Sequence, residues 1–262
     1  MRRLLCAGCL LISLCASQLA QAQVTVTITG TVAQPGTYAL AGKPRLADAT
    51  KTAQIDPEAY ALGASWSQHS LVLSQRRERA GLLYELEVIR QQAVAADDDA
   101  MAAASRSLRD WLQRLPLTGR RLVHTLDPAQ LVVSDADNFP LEDGDLLNYP
   151  KRPAGVRVVG AVAHACILPQ IGLKAARDYL AECAPSSAAD KELLYVIQPD
   201  GQVSELGIAL WNRSPPMVLA PGAIIYVPLD RHVISPVADE VFNHELADFL
   251  ATQPVSDAEV PK

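Results

Sequence analysis

Two stretches of this chain, VTVTITGTVAQPGTYAL from Val24 to Leu40 and VRVVGAVAHACILP from Val156 to Pro169, carry the same pattern. In the first, Val24, Val26 and Ile28 alternate with threonines, the period-two signature of a strand with one buried face, until Gly30 interrupts them. Pro35 and Gly36 supply turn chemistry, and Tyr38 and Leu40 resume the alternation, which predicts a hairpin. In the second stretch Gly160 stands where Gly30 stood and Val162 where Val32 stood. Further on, LEDGDLLNYP (Leu141 to Pro150) is answered by LAPGAIIYVP (Leu219 to Pro228), pairing Leu141 with Leu219, Gly144 with Gly222, Leu146 with Ile224 and Pro150 with Pro228. Two segments that open and close alike imply two copies of one unit.

The copies differ in length. Gly30 to Gly144 spans 114 residues and Gly160 to Gly222 spans 62, so the first copy carries an insertion of about 52 residues. Its periodicity is helical. Leu82, Leu83, Leu86 and Ile89 fall on one face between Gln75 and Gln92, and Met101, Ala104, Leu108, Trp111, Leu112 and Leu115 recur every three or four positions after Ala100. This predicts a helical hairpin at about 74–116. The linking Asp97, Asp98 and Asp99 lack the alternating ligands and glycine of a calcium loop and read as a solvated turn whose acids favour the second helix start.

Each unit is expected to place one helix after its hairpin, over Arg45–Ala53 and over Leu173–Cys183, the latter burying Leu173, Ala176, Tyr179 and Leu180. Strands are expected at Leu122–Leu126 and Leu131–Val133 in the first unit, and at Leu193–Gln198 and Gln202–Leu206 around the turn Pro199-Asp200-Gly201 in the second. A hairpin, a helix and further strands around one core make an α+β arrangement of the β-grasp type. The predicted organisation is residues 1–22 as signal peptide, 23–152 as first unit, 153–232 as second unit, 233–251 as a C-terminal amphipathic helix and 252–262 as a loose tail. Ser235-Pro236 would start that helix, and Ala238, Phe242, Leu246, Phe249 and Leu250 would form its apolar stripe, docked on its own unit.

Arg2 and Arg3 precede an apolar run from Leu4 to Leu19, and Ala20-Gln21-Ala22 offers a cleavage site. No later segment is long and apolar enough to span a bilayer, so the expected location is the periplasm. Loss of the two arginines takes the formal charge from -6 to -8, which argues against nucleic acid and anionic membrane surfaces as partners. Cys166 and Cys183 are the cysteines outside the signal segment; in an oxidising compartment they either pair, a cross-link worth roughly 3 kcal/mol, or remain as buried thiols. They do not form a zinc site.

Catalytic motifs are scarce. The chain has no GxSxG elbow, HExxH or phosphate-cradling loop, and His69, His124, His164, His232 and His244 are scattered. Glu142, Asp143 and Asp145 are the nearest approach to a carboxylate cluster, but they occupy a turn that the second copy builds with Ala220, Pro221 and Ala223.

Val26 to Leu40 meets almost entirely, with Ile28 in place of the second valine, the pattern VxVxGxVxxPGxYxL of the soluble-ligand-binding β-grasp (SLBB) modules of polysaccharide export proteins, which both units resemble. The whole chain is similar to the GfcC-like family of capsule biosynthesis proteins, on TGR at Thr118–Arg120, RDYLA at Arg177–Ala181, YVIQPDG at Tyr195–Gly201 and LAPGAIIYVPL at Leu219–Leu229. The resemblance implies two β-grasp domains, a periplasmic accessory role in capsule or exopolysaccharide assembly or export, and no enzymatic activity or cofactor. Its partners would be polysaccharide or polysaccharide export proteins, and the protein is expected to be a monomer. Export channels of this kind send a C-terminal helix across the outer membrane, a role that Asp239, Glu240, Glu245 and Asp248 exclude here. The competing function class is a periplasmic polysaccharide-modifying enzyme.

Arg120, where the insertion returns to its unit, is the first candidate for ligand binding. It would either clamp a uronic acid, phosphate or partner carboxylate through two parallel hydrogen bonds, or form an internal ion pair. Arg121 is expected to be an exposed neighbour. Among the aromatics, Trp111 belongs to the helical core stripe, whereas Trp66 is the candidate sugar platform; Trp211 is open to either reading.

Overall fold

A computed structural model describes residues 23–255. The expected signal peptide, and residues 256–262 of the expected tail, lie outside the described residues. The first unit contains β1 (Gln23–Gly30), β2 (Gly36–Ala41), α1 (Leu46–Ala53), β3 (Ser65–Ser67), α2 (Val72–Ala95), α3 (Asp99–Arg114), β4 (Arg120–Arg121), α4 (Pro128–Val133) and β5 (Asp145–Tyr149). The second contains β6 (Gly155–Gly160), β7 (Cys166–Pro169), a 3-10 helix (Ala176–Ala181), β8 (Leu193–Ile197), β9 (Val203–Gly207) and β10 (Ile224–Val227), followed by α5 (Arg231–Ile234) and α6 (Phe242–Ala251).

The duplication is visible strand for strand. The first sheet has the order β2-β1-β5-β3-β4 and the second β7-β6-β10-β8-β9. In each, the opening hairpin is antiparallel, its first strand runs parallel to the last strand of the unit, and the remaining pairs are antiparallel. Gly30 lies opposite Tyr149 and Gly160 opposite Val227. Both glycines have positive φ, 92° and 105°, and a Cβ at either would stand 2.1 Å from the carbonyl oxygen of its cross-strand neighbour. The next amides, of Thr31 and Ala161, donate to those same oxygens at 2.7 and 2.8 Å. Close approach and left-handed backbone together require glycine at both places.

The sheets differ in what covers them. On β1, Val26 and Ile28 are buried beside Leu147 and Tyr149 of β5, under α1 and α4 through Leu46, Ala49, Ala53 and Leu131. The opposite face carries Thr25, Thr27 and Thr29 with Leu146 and Asn148, none of them buried, which gives the alternation read in the sequence. In contrast, every residue of β8 and of β10 is buried. These strands share one continuous core with Leu82, Leu86 and Ile89 of α2, Met101, Leu108 and Trp111 of α3, and Phe242, Leu246, Phe249 and Leu250 of α6. The hairpin inserted in the first unit is thus built into the core of the second. Asp98 caps α3 by accepting from the Met101 amide, and Glu87 of α2 is ion-paired to Arg90 on the same helix and to Arg109 of α3.

Several local expectations are corrected. Leu131–Val133 is helical: Pro128 occupies the first turn of α4 and Asp127 caps it by accepting from the Ala129 amide at 2.8 Å. Leu122–Leu126 forms no strand; the edge of the first sheet is the two-residue β4 paired with β3, which carries Trp66. In the second unit only a 3-10 segment forms; Ala176 and Tyr179 are buried, but Leu173 has φ of 66° and is 90% exposed. The C-terminal helix does not start at Ser235-Pro236 but at Phe242, after α5 and turns. Its stripe rests on both α2 and the strands β8 and β9, so it is shared between the units. Thr252 to Val255, expected in a loose tail, are tied down: the Thr118 hydroxyl donates to the Thr252 carbonyl at 2.9 Å, and Gln253 and Val255 are buried.

Cys166 of β7 and Cys183 are joined by a disulfide, with Cα atoms 6.2 Å apart. In urea unfolding of the mature protein, Gly30→Ala and Gly160→Ala should each lose about 3 kcal/mol, summing forced positive φ and overlap. Gly36→Ala, with nothing within 4 Å of the new Cβ, should stay within about 0.5 kcal/mol of wild type. Unchanged midpoints for the first two would refute the shared geometry.

Candidate functional site

Chain reversal after α3 places Arg120 at the junction of the units. Gly119, at φ of 60°, has no room for a side chain, since a Cβ would stand 2.3 Å from the Gln68 carbonyl oxygen. Its amide donates to Gln75 Oε1 at 2.8 Å and its carbonyl accepts from the Gln68 amide at 2.9 Å. The chain then enters β4, where Ser67 is opposite Arg120 and Trp66 opposite Arg121. Successive strand residues point to opposite faces, so the two arginines serve different environments.

Arg120 is 7% exposed. Its Nη1 donates to the carbonyls of Ala251 and Gln253 at 3.2 and 3.0 Å, and its Nη2 to those of Ala64 and Pro199 at 3.2 and 2.7 Å. Those carbonyls come from the first unit, the β8–β9 turn of the second unit, and the C-terminal segment. Burial pulls the guanidinium pKa down to about 10, with Asp200 opposing the shift. The fork expected to clamp a ligand carboxylate, or an internal one, is instead engaged by four backbone oxygens.

Trp66 is 0% exposed, which corrects its reading as a sugar platform. Its indole NH donates to Asp145 Oδ2 at 2.8 Å, and its ring lies 6.0 Å from that of Phe139. Arg121, expected to be merely exposed, has its guanidinium carbon 5.0 Å from the centroids of both rings and donates to Gln68 Oε1. Asp145 also accepts from the Glu142 amide at 2.9 Å, and Asp143 accepts from the Thr25 amide at 2.8 Å. The turn carboxylates therefore hold the turn and the first sheet. Burial raises the Asp145 pKa against the lowering effect of these hydrogen bonds. Trp111 is buried in the shared core, whereas Trp211 is 72% exposed.

Two concavities flank Arg120. A cleft of about 150 Å³ opens between β4 and the start of α4; Arg121, His124, Asp127, Gln130 and Asp200 line it together with Arg120. It mixes hydrogen-bond donors and acceptors of both signs, the chemistry that hydroxyl-rich ligands require. A larger groove of about 700 Å³ runs between α2 and α6. Neither was visible in the sequence, because each is bounded by segments distant along the chain. Tyr60 braces the same junction: its hydroxyl donates to the Pro221 carbonyl of the second unit at 2.9 Å, and burial raises its pKa to about 12. Among the described residues, no group of three or more histidine, cysteine or acidic side chains could hold a metal ion.

Removing the guanidinium strands carbonyls in three segments, so Arg120→Ala should cost about 4 kcal/mol in urea unfolding, and Arg120→Lys, with one nitrogen instead of a fork, should recover less than half. An Arg120→Ala midpoint equal to wild type would contradict the bracing role.

Residues 20–150 match the family described as capsule biosynthesis GfcC, N-terminal, and residues 166–254 match capsule biosynthesis GfcC C-terminal. The chain is also 31% identical over 215 residues to the uncharacterized protein YjbG of Escherichia coli strain K12, covering 81% of this chain and 79% of that protein. The first match spans the whole first sheet and its helices, the second runs from β7 to the end of α6, and on these grounds the chain belongs to the GfcC capsule biosynthesis family.

Proposed function

We propose that this protein is a non-enzymatic accessory component of capsule or exopolysaccharide assembly or export, working in the periplasm and binding glycan at the junction of its two units. The observation that carries the reading is the match of both halves to a capsule biosynthesis family. The duplicated sheets, with a hairpin, a crossing helix and a parallel closing strand, support their interpretation as β-grasp units of the soluble-ligand-binding type. A disulfide between Cys166 and Cys183, and the arginines and apolar run at the N-terminus, support an extracytoplasmic location. The glycan occupies the cleft beside Arg120. Arg120 acts there as a fixed wall, and Arg121, His124 and Gln130 offer polar atoms to sugar hydroxyls.

Titration of the mature protein with capsule oligosaccharides tests this. Saturable binding should weaken by about tenfold in His124→Ala and Gln130→Ala, the loss expected for one or two hydrogen bonds, while unfolding midpoints stay unchanged. Release of shortened or modified saccharide, abolished by Asp127→Asn or Asp200→Asn, would establish the competing enzymatic function.

A further inference from the structure

The groove between α2 and α6 is lined by both aliphatic and acidic side chains. Leu71 and the 47% exposed Leu122 line it, together with Glu78 of α2 and Glu245 and Asp248 of α6. Glu85 and Asp239 extend the same electrostatic field, with the Asp239 amide donating to Glu85. Partial burial and these four neighbouring carboxylates raise the Glu245 pKa. Of the nearby cations, Arg79 donates to the Leu115 carbonyl and Arg120 to its four carbonyls, while His244 lies 3.5 Å from the groove carboxylate of Asp248.

A second observation concerns Gly81, which lines the groove in the middle of α2. A Cβ placed there would meet nothing within 4 Å. Glycine is the least favourable residue for an exposed helix interior after proline, and no packing contact requires it here. What its missing side chain does is leave the groove open.

We propose that this groove is a docking site for a basic amphipathic helix of a partner protein, its apolar face on Leu71 and Leu122 and its lysines or arginines between the two acidic walls. The geometry favours this occupant over others. The carboxylates are spread along two helices and do not converge on one metal position. Phe249, the aromatic residue of the lining, is 1% exposed and offers no ring for sugar stacking. Both walls place lining residues three or four positions apart, Ser74, Glu78 and Gly81 on one and Glu245, Asp248 and Thr252 on the other, the spacing that meets an incoming helix. The inference is separate from glycan binding in the cleft, and either can fail alone.

The test uses the mature chain and a fluorescein-labelled leucine–lysine amphipathic helix, with its leucine–glutamate counterpart as control, followed by fluorescence anisotropy. Saturable binding of the lysine helix is expected, falling as salt is raised, with none of the glutamate helix. Gly81→Leu, which fills the groove and gains helix propensity, should weaken binding by about tenfold without lowering the unfolding midpoint. Should Gly81→Leu lower that midpoint, the triple variant Glu78→Gln/Glu245→Gln/Asp248→Asn supplies the same comparison, with the same loss expected. Undiminished binding in the variants, or equal binding of both helices, overturns the proposal. So does a capsule oligosaccharide that Gly81→Leu blocks while the lysine helix still binds.

Discussion

The guanidinium of Arg120 is bonded to backbone on three sides of a junction: the start of β3, the turn between β8 and β9, and the end of α6. A buried cation is tolerated only where its hydrogen-bonding capacity is met, and here backbone carbonyls meet it. Those carbonyls gain a charged donor in return. Tyr60 adds a further link, from the first unit to the Pro221 carbonyl of the second. The duplicated architecture is interlocked: the helical hairpin of the first copy supplies core to the second, and α6 packs on both that hairpin and the strands β8 and β9.

This arrangement also shapes the surfaces. Because Arg120 fixes the approach of the two units, the small polar cleft and the long acidic groove both have a rigid common wall. The first sheet keeps a threonine-rich face uncovered, while in the second sheet β8 and β10 are buried on both faces and β7 and β9 at the edges remain partly exposed. Family membership gives a role in capsule biosynthesis.

Much of the scaffold was legible because its signals are local. The hairpins, the two glycines at their crossings and the two inserted helices each follow from neighbours within a few residues. Leu193–Ile197 and Ile224–Val227 also carried a signal in their unbroken apolar runs, the mark of strands covered on both faces, which points to a cladding layer beyond the unit itself. The short β3 and β4 were illegible, since two or three residues establish no period and pairing partners alone define them. Leu131–Val133 looked like a strand by composition, but Asp127-Pro128 is a helix start that outweighs it. Arg120 could be picked out by its position and not by its role: its acceptors lie 56 to 133 residues away along the chain. The exposed-seeming Trp66 is buried for the same reason, its cover coming from Phe139 and Arg121.

The interlocking of the two copies is most directly tested by urea unfolding followed separately at two tryptophans, with the others replaced by phenylalanine. Trp66 reports the core of the first sheet and Trp111 the core that the hairpin shares with the second. Coincident midpoints and slopes at the two reporters are the predicted result, as for one cooperative unit. Two separated transitions, with one core melting while the other persists, would contradict it.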